Sequence, residues 1–238
     1  MKSFVIIWLG QVISMVGSGL TSFALSVYLF QVTGKATPFT LAVLFSNLPR
    51  ILLSPIAGSL ADRWNRKLLM ILSDTCNALI TLLLAFLLAG GSVPVLVIYG
   101  ILILYSIFSA FQEPAYTASI TMLVPKDDLA RAAGMMQVGQ SFEMLLSPVL
   151  AGFLYVFIGF RGIILIDFVT YFFALAALVW VRIPQPAREA EEEDRKTKGK
   201  VWADLRFGWN YLRVRRGLFG LLLYFAVVNF LLNFGMVL

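Results

Sequence analysis

Seven apolar stretches, each near the length of a membrane-crossing helix and mostly separated by short turns, leave this chain little choice of fold. A hydrocarbon core about 30 Å thick needs roughly 20 helical residues. Stretches at about 4–32, 38–60, 68–88, 95–123, 129–157, 162–181 and 217–238 supply that length. In lipid every backbone polar group must be satisfied internally, so long apolar runs point to helices. The composition agrees: 60% of the 238 residues are hydrophobic and 13% are charged, whereas a soluble domain carries about 25% charged residues. The expected class is an all-α integral membrane protein.

The connections refine this picture. Thr33-Gly34-Lys35, Gly58 to Lys67, Ala89 to Pro94, Val124 to Asp128 and Ile158 to Arg161 are too short for a soluble domain, so consecutive spans form antiparallel neighbours. Pro184 to Arg216 differs. Its first half, with the run Glu189 to Lys196, reads as a solvated linker. In its second half Val201, Trp202, Leu205, Trp209 and Leu212 recur at helical spacing, as in a helix lying on a membrane surface. The expected organisation is therefore a six-span bundle over 1–181, a cytoplasmic linker with an amphipathic helix over 182–216, and a seventh span over 217–238. With the amino terminus cytoplasmic, 16 of the 19 Lys and Arg residues lie on the inner side, Lys35 and Arg161 lie outside, and Arg50 lies within the membrane. That asymmetry sets the orientation. It also accounts for the net charge of +6 without nucleic acid.

Several chemistries drop out. Cys76 is the single cysteine, and there is no histidine. Disulfide frameworks, the usual zinc sites and Ser-His-Asp catalysis therefore have no residues to work with. No phosphate-binding loop of the G-x-x-x-x-G-K-[ST] kind occurs, so neither an enzyme nor a bound cofactor is expected. The first apolar run lacks a convincing cleavage site and is expected to stay as the first span.

The turn GSLADRWNRK, Gly58 to Lys67, resembles the G-x-L-A-D-R-x-G-R-K signature between spans two and three of major facilitator superfamily transporters. Gly58, Leu60, Ala61, Asp62, Arg63, Arg66 and Lys67 match; Asn65 stands where that family usually has glycine. Asn tolerates a left-handed backbone better than most residues, so the turn is expected to persist with that conformation. FQEPAYTASITMLVP, from Phe111, is similar to a pattern of the enterobactin-exporter and macrolide-efflux branch. Ser147 to Gly152 resembles a degraded fifth-span antiporter motif, and DLRFGWNYLRVRR, from Asp204, is similar to the segment before that branch's seventh span.

The resemblance covers nearly the whole chain. It implies a bundle of two inverted three-helix repeats, with spans one, two, four and five lining a central cavity and spans three and six packing outside. The family normally has twelve spans, so the chain is expected to be one half plus one helix of a longer protein. The implied activity is proton-driven efflux of a small amphipathic or siderophore-like molecule. A lipid flippase or importer of the same superfamily, or a truncated non-transporting interaction protein, stand as alternatives. The implied surroundings are the lipid bilayer of the cell's inner membrane, protons, a small-molecule substrate and the carboxy-terminal half.

Ionisable groups at membrane depth cost at least about 2.5 kcal/mol each, so each needs a partner or a purpose. By helical rise, Arg50 and Glu143 lie about 18 and 21 Å from the cytoplasmic edge, close enough to meet near the midplane. Glu113 and Glu143 are the candidates for proton coupling, since a carboxylate exchanges its proton when its surroundings alternate between dry and wet. A permanent structural pair of Arg50 with Glu143 is the other reading. Gln11, Asn47, Arg50, Gln112 and Gln140 are the candidate cavity groups. Asp74, Gly139, Pro148, Gly152 and Asp167 are assigned to helix packing. The signature residues Gly58, Asp62, Arg63, Arg66 and Lys67 form a candidate gating latch, with Asp62 capping a helix start and the cations binding helix carboxyl ends.

Overall fold

A computed structural model describes the backbone of residues 1–91, 93–181, 183, 206 and 210–237, and the side chains of all of these but 36, 62, 63, 216, 230 and 232–237. The linker and most of the proposed amphipathic helix, including Val201, Trp202, Leu205 and Trp209, fall outside the described residues. Residues Met1–Pro186 form one compact unit and Ala187–Leu238 another.

The first unit holds α1 (Lys2–Thr33), α2 (Ala36–Arg63), α3 (Arg66–Ala89), α4 (Val95–Leu123), a 3₁₀ turn (Lys126–Asp128) and α5 (Leu129–Trp180). The second unit contains α6 (Arg216–Val237). No strand occurs among the described residues, so the chain is all-α. Among the described residues, five helices are long and apolar enough to cross a membrane. Leu96 and Val156, each 80% exposed, present the apolar exterior that lipid accepts and water does not.

α5 has 52 residues, which at 1.5 Å per residue would extend about 78 Å, far beyond a bilayer. It is broken at Gly159, whose φ of 65° and ψ of −178° only glycine adopts cheaply. The chain doubles back there. Gly10 of α1 approaches Phe173 and Ala177 while Val12 lies against Gly139, and further along α1 Gly19 faces Glu143 and Ser147 while Gly17 faces Asp167 and Thr170. Two segments of α5 thus run in opposite directions along opposite faces of α1, so α5 supplies two of the bundle's six spans. Contact of this kind needs small residues, because lipid offers no strong hydrophobic drive for helix association. A Cβ at Gly139 would stand 2.7 Å from Val12 Cγ2, and one at Gly10 2.7 Å from Ala177 Cβ. Gly152 differs from its expected packing role: a Cβ there meets nothing within 4 Å.

The core is layered. One apolar cluster gathers Phe4, Ile7, Met70, Ile120, Ala132 and Leu178; another gathers Leu20, Leu29, Leu84, Ile98, Ala151 and Ile164. Between these layers α1 carries Gln11, Ser14 and Ser18, α3 carries Asp74 and Asn77, α4 carries Tyr105, Ser109 and Gln112, and α5 carries Glu143 and Asp167. The polar residues that lipid would reject therefore share one level of the bundle.

Candidate functional site

That polar level encloses a cavity of about 190 Å³ lined by all four helix groups just named, with Arg50 from α2. It adjoins a wider cavity of about 510 Å³, where Gln11, Arg50, Gln112, Glu113 and Glu143 are joined by Trp8, Met15, Tyr116, Met136, Gln140 and Met144. The second volume falls in the range of about 300–1,000 Å³ typical of small-molecule pockets.

A directional hydrogen-bond chain crosses three helices in the cavity floor. Gln112 Nε2 of α4 donates to Gln11 Oε1 at 2.6 Å, and Gln11 Nε2 of α1 donates to Asp74 Oδ2 of α3 at 3.1 Å. Gln11 is 2% exposed and Asp74 9%. Two turns further along the same face of α1, Ser18 Oγ donates to Asp167 Oδ1 at 3.1 Å. Asp74 and Asp167 thus hydrogen-bond between helices, and they also line the cavity. Spans three and six were expected to pack outside it; here Asp74, Asn77 and Thr81 of α3, with Asp167, Phe168 and Tyr171 of α5, form part of its wall. The reason is the polar face each helix turns inward, and that face was readable: 74, 77 and 81 in α3, like 105, 109 and 112 in α4, recur at the spacing of one helical face. Asn77, Tyr105 and Ser109 were missed because each was weighed as a single residue.

Arg50 sits directly after Pro49, inside α2. A proline distorts the preceding turn, and the Arg50 backbone N–H donates instead to Ser106 Oγ of α4 at 3.1 Å. Its guanidinium lies 3.8 Å from Glu113 Oε2, in a pair about half exposed on both sides. The recorded ion pair is therefore Arg50–Glu113 rather than the Arg50–Glu143 pair that depth counting suggested, because α2 packs against α4 and not against the start of α5. Glu143 shares both cavities with Arg50 and is partly exposed. Asn47 is exposed and donates to Val43 O of its own helix at 2.8 Å. Trp8 Nε1 donates to Met135 O at 2.8 Å, fixing the indole at the cavity rim.

The signature turn is built differently from its expected form. Asn65 has φ −61° and ψ 105°, and no residue other than glycine has positive φ among those described. Asn65 serves as the amino-terminal cap of α3, its Oδ1 accepting from Leu68 N at 3.0 Å. Asp62 lies in the last turn of α2, and the capping position of α3 is held by Asn65; the side chains of Asp62 and Arg63 fall outside those described. Arg66 Nη1 donates to Ala118 O of α4 at 2.8 Å, and Lys67 Nζ donates to Val179 O and Val181 O at 3.1 and 2.8 Å, at the end of α5. At the opposite end of the bundle Arg161 donates to Leu88 O, in the last turn of α3. Each of α3 and the second segment of α5 therefore begins with a cation bound to the carbonyl end of the other, where the helix dipole favours positive charge. Gly58, with open space beside it, shares a cavity of about 690 Å³ with Arg66, Arg50 and Glu113, which links the turn to the charged pair. Pro148 lies within α5 in the segment that carries Ser147, whose Oγ donates to Val16 O at 3.3 Å.

Residues 7–238 match the family model described as Major Facilitator Superfamily. The chain is 33% identical over 220 residues to macrolide efflux protein A of Streptococcus pyogenes, covering 92% of this chain and 53% of that protein. It is 32% identical over 176 residues to macrolide efflux protein A of Enterococcus faecalis, covering 74% and 53%. It is 33% identical over 144 residues to the multi-drug resistance efflux pump PmrA of Streptococcus pneumoniae, covering 59% and 33%. The chain thus spans about half the length of the macrolide efflux proteins it matches.

Proposed function

The chain belongs to the major facilitator superfamily, as a multi-pass membrane protein of the macrolide-efflux-like branch, and from that premise we propose that it is the amino-terminal part of a transporter that exports an amphipathic, macrolide-like molecule in exchange for protons. The observation that carries this reading is the 510 Å³ cavity, which combines apolar and aromatic walls with Arg50, Glu113 and Glu143 at one level. Met15, Met136 and Met144 supply adaptable apolar surface suited to bulky substrates. Gln11, Gln112 and Gln140 offer neutral hydrogen bonds that orient a polar edge of the substrate.

Coupling follows from the single cation. Arg50 stabilises whichever carboxylate is nearest, so a shift of α2 and α4 against α5 transfers that stabilisation between Glu113 and Glu143 and changes which of them holds a proton. The missing partner in this cycle is the carboxy-terminal half, across which the substrate site is completed and against which the bundle rocks. The signature turn serves as the latch of that motion: Arg66 and Lys67 brace the ends of α4 and α5, leaving Asp62 and Arg63 to engage the other half. The bundle sits in the inner membrane with its amino terminus in the cytoplasm, as the distribution of Lys and Arg favours.

The test is drug accumulation in inside-out vesicles that carry the whole protein and an imposed pH gradient. Glu143→Gln is expected to abolish proton-driven macrolide uptake with the amount of protein unchanged. Undiminished uptake by the variant would remove Glu143 from coupling. Absence of macrolide movement by the unmutated protein would remove the efflux reading itself.

A further inference from the structure

The cavity floor holds two carboxyls that the coupling scheme above does not use. Asp74 and Asp167 are buried, 9% and 5% exposed, and among the described residues neither makes an ion pair. The titratable groups facing the same cavity are Arg50 from α2, Tyr105 and Glu113 from α4, and Glu143 and Tyr171 from α5; α1 contributes only Gln11, Ser14, Met15 and Ser18. Four carboxyls therefore share one guanidinium, and Glu113 already has it. Full ionisation would leave three uncompensated negative charges at membrane depth, where like charges and poor solvation both oppose it.

What distinguishes the two aspartates from an ordinary buried acid is that groups suited to both protonation states lie at the same level of the cavity. For the anion, a donor is in place: Gln11 Nε2 on Asp74, itself held by Gln112, and Ser18 Oγ on Asp167. For the neutral acid, acceptors are at hand. Asn77 Oδ1, three residues along α3 from Asp74 and lining the same cavity, is buried without a hydrogen bond while its amide nitrogen donates to Ser109. The Thr21 hydroxyl, 9% exposed, faces Asp167 and can donate to the carboxylate or, by rotating, accept from the acid. An unpaired buried polar atom costs roughly 1–3 kcal/mol, so Asn77 Oδ1 calls for an explanation. A carboxylic O–H supplies it.

We propose that Asp74 and Asp167 are a second pair of exchangeable proton sites, loaded and emptied as water enters and leaves the cavity. On loading, water in the cavity gives a proton to the carboxylate, and the new O–H donates to Asn77 Oδ1 or Thr21 Oγ1. On release the O–H bond breaks, the proton returns to water, and Gln11 and Ser18 hold the anion. Only the link from these protons to drug movement rests on the efflux reading.

The experiment is infrared difference spectroscopy of the protein in lipid, titrated between acid and alkaline pH, with aspartate carboxyls labelled with carbon-13 to separate them from glutamates. The expected result is a labelled carboxylic-acid carbonyl band, sensitive to deuterium exchange, that is still present above about pH 5, where ordinary exposed aspartates with a pKa of about 3.9 are ionised, and that disappears as pH rises further. Asp74→Asn and Asp167→Asn each remove about half of it, the double variant all of it, and Glu113→Gln none. The labelled wild-type titration needs no variant to fold, and it overturns the proposal if no buried aspartic-acid band exists or if the band is indifferent to pH. A titrating band that keeps its full intensity in both folded single variants overturns it equally. Because the readout is protonation rather than transport, a protein that moves no macrolide leaves this result standing.

Discussion

The two acid pairs of this bundle share a cavity and little else. Glu113 and Glu143 stand where the cavity opens, near Arg50 and partly exposed; Asp74 and Asp167 lie in its floor, buried and served by neutral donors. The open pair draws its charge balance from a half-exposed guanidinium, which suits groups whose partner changes. The buried pair draws on side chains fixed by packing, which suits groups whose surroundings change only through hydration. Charge at membrane depth is thus tolerated in two ways in one bundle, and the two ways predict different mutational behaviour.

The sharpest contrast is in stability. Gln11→Leu removes the donor of Asp74 and the acceptor of Gln112 together, so it is expected to cost about 2 kcal/mol in equilibrium unfolding in mixed micelles. Ser18→Ala removes one hydroxyl donor from Asp167 and is expected to cost about 1 kcal/mol by the same measurement. Glu113→Gln breaks a half-exposed ion pair and is expected to change stability by less than about 0.5 kcal/mol. A loss from Glu113→Gln larger than that from Gln11→Leu would erase the distinction between the pairs. A subtler probe is the clamp between α3 and the second segment of α5. Lys67→Met is expected to speed hydrogen exchange at the carboxyl end of α5, at Val179 and Val181, by a few fold, while exchange at Leu88, held by Arg161, stays as it was. Equal acceleration at both ends would show that the clamps act as one unit.

Much of this was legible beforehand because bilayer physics leaves few options. The lengths of the runs and the breaker residues place the ends of the described helices within about three residues, and Gly34, with φ 63°, closes α1 in the turn read from Thr33-Gly34-Lys35. The fifth and sixth runs are the two helical segments on either side of Gly159, within the connection read from Ile158 to Arg161. The signature turn was legible as a motif but not as a conformation. Asn65 replaces a glycine by capping a helix rather than by adopting a left-handed backbone, and a motif alone does not distinguish those solutions.

What the sequence by itself determined is the set of helices, their membrane class and the family, because each follows from local pattern: run length, charge at the turns, and a string of matched residues. What only the tertiary structure decided is partnership. Counting residues gives the depth of a charge along its helix but not its azimuth, and whether Arg50 meets Glu113 or Glu143 depends on which helices touch. The same reason explains Asp74 and Asp167, whose inward direction is fixed when α1, with small residues at Gly10 and Gly17, packs between the two segments of α5 and reaches Asp74 of α3 through Gln11.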